Sequence, residues 1–171
     1  MKVSFRPLMY AALIVTPLAW IACGDKTSNT EPESTSLPAA VQTLHDALAP
    51  YSSLQLAKNA GYATAITDCM SNGDEGAMGV HFGDTSLFDA QTDPVKPEVL
   101  IYEPGTDGQM SLVGVEFLVP FTSVPKTAAP PELFGQKFQV NDVFGVWALH
   151  VWTHRANPSG LFANWNPRVH C

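Results

Sequence analysis

The chain has 171 residues, of which 46% are apolar and 15% charged, and its net charge is −7. That length and apolar content support one domain with a real core. The acidic balance argues against nucleic acid as a partner, and against an anionic membrane surface bound by charge.

Lys2 and Arg6 precede an almost wholly apolar run from Leu8 to Ala22, and Cys23 follows it. A positive start, a short apolar stretch and a small residue before the cut mark a secretory signal peptide over residues 1–22. The run is shorter than the roughly 20 residues a spanning helix needs, and Pro17 interrupts it. Trp20-Ile21-Ala22-Cys23 resembles a lipobox, with Trp20 in place of the usual aliphatic residue. Cys23 is therefore expected to be the lipidated first residue of a mature, extracytoplasmic protein anchored to a bacterial membrane. Behind it, residues 24–38 are polar with a single large apolar residue, Leu37, and cannot bury a core. Residues 23–38 thus read as a lipidated flexible tether reaching on the order of 20 Å. Residues 39–171 remain as a single domain, and loss of Lys2 and Arg6 takes the mature charge to −9.

Val41, Leu44, Leu48 and Tyr51 recur at helical spacing, so one helix face is apolar. Pro50 either kinks this helix or begins a second one, which contains Leu54, Leu56 and Ala57 and stops at Gly61. Ser71 to Gly76 is a loop by composition. Met78–Phe82 reads as a short strand, and a polar loop follows it. Val99–Glu103 and Leu112–Val119 flank the Gly-rich turn 104–108 and form a hairpin. A proline-rich connector covers 120–136. Val143–Thr153 is the longest expected strand, and from Asn157 the tail is turns with room for a short helix. The sum is an α+β domain, with amino-terminal helices packed on an antiparallel β-sheet.

Lipidation of Cys23 leaves Cys69 and Cys171, which an oxidising compartment favours as a disulfide. The bond closes a loop of about a hundred residues and adds ~4 kcal/mol by loop-closure entropy. A metal-binding pair or a reactive Cys69 are the alternatives, and neither has the close spacing such chemistry uses.

Alternation along strands sorts the candidate site residues. Val113, Val115, Phe117 and Val119 share one face, which leaves Glu116 on the other. His150, Trp152 and His154 share a face in the last strand. His81 lies opposite Val80 and Phe82. If these strands are neighbours, His81, Glu116 and His150 converge, and two imidazoles with a carboxylate suit Zn²⁺ or non-haem iron. His154 lies roughly 13 Å from His150 along an ideal strand and falls outside that trio. Trp152 and His154 are candidates for a pocket, near the other aromatics of the tail. No nucleophile elbow, phosphate loop, HExxH or calcium loop is present in the sequence. Two readings follow. The first is a non-catalytic binding or envelope-associated domain, whose polar recess is lined by His81, Glu116, His150 and Trp152. The second is a metal-binding protein or metal-dependent enzyme using His81, Glu116 and His150.

The segments Met78-Gly79-Val80-His81, Pro97 to Pro104, Leu112 to Glu116, His150-Val151-Trp152, Asn157 to Gly160 and Trp165 to Cys171 are similar to a group of bacterial secreted proteins of unassigned function. The resemblance spans nearly the whole mature domain. It implies one exported domain with a structural cysteine pair, and it carries over no activity, cofactor or catalytic residue.

Overall fold

The computed structural model describes residues 1–2 and 36–171, so Cys23 and nearly all of the expected signal peptide and tether lie outside the described residues. Helix α1 (Ala39–Ala47) buries Val41 and Leu44, with Leu48 following on the same face. Pro50 lacks the N–H that a continuing helix needs, and a 3₁₀ turn takes Ala49–Ser52 instead. Helix α2 (Leu54–Asn59) ends in a Schellman motif. The Gly61 N–H donates to the Lys58 carbonyl at 3.2 Å, and the Tyr62 N–H to the Ala57 carbonyl at 3.1 Å. Gly61 has φ +117°, and a Cβ there would stand 2.5 Å from the Asp84 carboxylate. The expected helix stop therefore sits where only glycine fits.

Eight strands follow: β1 (Thr64–Ser71), β2 (Ala77–Gly83), β3 (Val99–Pro104), β4 (Met110–Pro120), β5 (Glu132–Leu133), β6 (Gln136–Lys137), β7 (Gln139–Asn141) and β8 (Val146–Val151). Six of them form an antiparallel sheet in the order β1-β2-β3-β4-β8-β7, and β5 and β6 pair as a separate ribbon. An antiparallel sheet with a few short helices makes the class α+β. The hairpin around residues 104–108 is β3–β4, as its sequence predicts.

Three expectations are corrected. β1 was not predicted: it is an edge strand, mostly exposed, and it has no apolar run to announce it. The strand expected over Val143–Thr153 is shorter, because residues 142–145 turn between β7 and β8 and the chain leaves the sheet after Val151; the longest strand is β4. The tail from Asn157 is turns and bends, with no helix among the described residues. In addition, no helix among the described residues is long and apolar enough to cross a membrane.

The two faces of the sheet differ. One carries Phe82, Leu100, Tyr102, Val115, Phe117 and Leu149, and Val41, Leu44, Leu48 and Ala57 belong to the same apolar cluster. The other carries two smaller apolar clusters. Val99, Leu118, Val146 and Ala148 form one, and Ala77, Ile101, Val113, Trp152 and Val169 form the other. Val113 was expected beside Val115. A register shift opposite Ile101 and Tyr102 inserts one extra residue in β4, and Val113 turns to the second face.

Cys69 and Cys171 are bonded, with their Cα atoms 5.5 Å apart. The bond ties the tail to β1. Glu103 on β3 also holds the tail, accepting from the His170 N–H at 2.9 Å and pairing with Arg155.

Candidate metal centre

Between the two small clusters, the second face carries His81 from β2, Glu116 from β4 and His150 from β8. Glu116 and His150 are direct cross-strand partners, so their proximity follows from register alone. His81 pairs with Ile101 of β3 and stands two strands from Glu116. Two long side chains bridge that gap: His81 Nε2 lies 3.8 Å from Glu116 Oε2 and 3.3 Å from His150 Nε2. His150 Nδ1 lies 3.5 Å from Glu116 Oε1. All three are buried, at 3%, 7% and 5% exposure. The expected trio therefore converges.

One ligand atom from each residue can be chosen so that all lie within 4.8 Å of one another. Ligand atoms held about 2.0–2.1 Å from a tetrahedral ion lie about 3.3–3.4 Å apart, so small side-chain shifts would close the three on one ion. Among the described residues, His81, Glu116 and His150 are the one group of three or more His, Cys, Asp and Glu whose ligand atoms all lie within 4.8 Å of one another. Burial pushes the His81 imidazole down to about 4, against the pull of Glu116, and pushes His150 down to about 4 as well. Both rings are therefore neutral near pH 7 and offer lone pairs. Burial pushes the Glu116 carboxyl up, with His81 opposing it. A divalent ion between the three would supply the charge that a buried carboxylate lacks here.

Residues the sequence reading missed support the rings. Thr67 of β1, the backbone partner of His81, places its Oγ1 2.9 Å from His81 Nδ1. With Nδ1–H donating to Thr67, the Nε2 lone pair faces the other two ligands. Asn164 from the tail lies beside His150 and partly offsets the effect of its burial, while its Nδ2 donates to Gln139 Oε1 at 3.3 Å. Neither was legible, because each lies far along the chain from its ring. Glu98, just before β3, is a further buried carboxylate that was missed. Its Oε2 accepts the Leu118 N–H at 3.0 Å, and burial pushes its carboxyl up to about 7.

The trio lies in a recess of about 590 Å³, also lined by Ile66, Phe88, Leu118, Val140, Val143 and Phe144. Trp152 and His154, expected in a pocket, do not line it. Trp152 is 1% exposed and packs beside the recess: its Nε1–H donates to the Ala163 carbonyl at 2.6 Å, and its ring stacks on His150 with centroids 6.3 Å apart. Gly114 makes room for it, since a Cβ there would meet the Trp152 ring and the Val151 carbonyl, the latter at 2.8 Å. His154 lies beyond the end of β8 and stacks on His45 of α1 with centroids 4.3 Å apart. No protein-family model, no curated protein and no solved structure matches the chain, and its site is read from its own residues.

Proposed function

We propose that this is an exported, lipid-anchored binding domain that holds one divalent transition metal, Zn²⁺ or Fe²⁺, on His81, Glu116 and His150. The observation that carries the proposal is the convergence of two neutral imidazoles and a carboxylate, buried, with one ligand atom of each within 4.8 Å of the others. Three protein ligands leave at least one coordination position, and all three residues line the recess, so that position faces it. Export is supported by the Cys69–Cys171 disulfide, which belongs to an oxidising compartment. The signal pattern over residues 1–22 and the resemblance to bacterial secreted proteins point the same way, and Cys23 is the acylated residue in this reading. The amino-terminal helices are taken as the layer covering the face away from the metal, supported by the cluster that Leu44 and Ala57 share with Phe82 and Phe117.

Elemental analysis of protein purified without chelators tests the metal. One ion per chain is expected, with loss of the ion and a lower Tm on chelation, and little metal in His150→Ala. A metal-free wild type whose Tm ignores chelators and added Zn²⁺ would sink the proposal. Cys23→Ser is expected to move the protein from the membrane fraction to the soluble one.

A further inference from the structure

We infer that the recess binds a monoanionic amphiphile, with its acidic head on the metal and its apolar body along the recess wall. The inference rests on the metal reading above and names the ligand class that such a site takes.

Among the described residues, the recess has no free cation of its own. A divalent ion on one carboxylate and two neutral imidazoles leaves one uncompensated positive charge in a buried setting. Among the described residues no lysine or arginine lines the recess. Asp142, which lines it, is gripped by Lys126 through both carboxylate oxygens, at 2.6 and 2.7 Å, and each neutralises the other. The ion is therefore the recess's own attractor for an anion, and a head of charge −1 balances it. Without the ion, no cationic side chain among the described lining residues offers that head a countercharge.

From the trio outward the lining is largely apolar: Ile66, Phe88 and Leu118 lie within, and Val140, Val143 and Phe144 stand at the rim. Val143 is 87% exposed and Phe144 48%, on the turn between β7 and β8. Large apolar side chains left in water around a concave site mark where apolar ligand surface is received. A volume of about 590 Å³ suits a small molecule rather than a folded partner.

Decanoate, with decanol as the uncharged control, tests this by calorimetry on the Zn²⁺-loaded full-length protein. Decanoate is expected to bind at least tenfold more tightly than decanol, and to lose that advantage after chelation. From hexanoate to decanoate, affinity is expected to rise by up to about fourfold per methylene. Val143→Asp, on an exposed turn, is expected to weaken decanoate by about tenfold. If zinc is bound at one per chain but decanoate and decanol bind alike, or chelation leaves decanoate binding unchanged, the inference falls while the metal reading stands. If no zinc binds, both fall.

Discussion

Thr67 meets His81 at Nδ1, on the side of the ring away from Glu116 and His150, and Asn164 lies beside His150. Outer partners of this kind fix the tautomer and aim the lone pair. Thr67→Val keeps the shape and removes the hydrogen bond. It is expected to lower Zn²⁺ affinity by about 10–100-fold with little change in the Tm of the metal-free protein. Competition with a coloured chelator measures this, and unchanged affinity would show that Thr67 plays no part in aiming His81. The candidate ligands were legible because alternation is a local rule: knowing that Phe82 and Phe117 face the core puts His81 and Glu116 on the other side. Thr67 and Asn164 were not, because their contacts depend on an unforeseen edge strand and on the path of the tail.

At the scale of elements, β1 is the weakest part of the site's scaffold. It pairs with β2 alone, through three register shifts, and most of its residues are exposed. The disulfide supplies its second attachment. Replacing Cys69 and Cys171 by serine is expected to cost up to about 4 kcal/mol in stability. Amide exchange should rise first in β1, while β3 and β4 stay protected. Uniform acceleration across the sheet, or none, would contradict this. The central strands announce themselves because they are buried on both faces and read as apolar runs. β1 and the short β7 have one side in water and little pattern. The extra residue at Val113 was also hidden, since an inserted residue leaves an apolar stretch apolar.

For the whole molecule, buried ionisable groups tie stability to pH in opposing directions. The His81 and His150 imidazoles are held near 4 in the folded chain, against about 6.5 when unfolded. The unfolded chain therefore takes up protons first, and their contribution is lost as pH falls from about 6.5 toward 4. Glu98 acts the other way. Its folded carboxyl titrates at about 7 against 4.5, so stability is full below 4.5 and lost as pH rises through 7. Glu98→Gln keeps an oxygen for the Leu118 N–H and removes the titration. The Tm gap between this variant and wild type is expected to widen from pH 5 to about pH 7 and then level off. A constant gap would mean that Glu98 titrates as an ordinary carboxylate. The α+β class was legible from the order of helices and strands. The sheet order, which sets His81 two strands from Glu116, was not, since nothing local to either strand encodes it.

Trp152 lies nearly parallel to His150, at 16°, and is sealed from water beside the candidate ion. The domain thus carries its own optical reporter. An open-shell ion such as Fe²⁺ or Co²⁺ on His150 would drain the excited indole, while closed-shell Zn²⁺ would leave it bright. In a variant whose other tryptophans are replaced by phenylalanine, the intensity and lifetime of Trp152 would then tell an open-shell ion from Zn²⁺, with no dye attached.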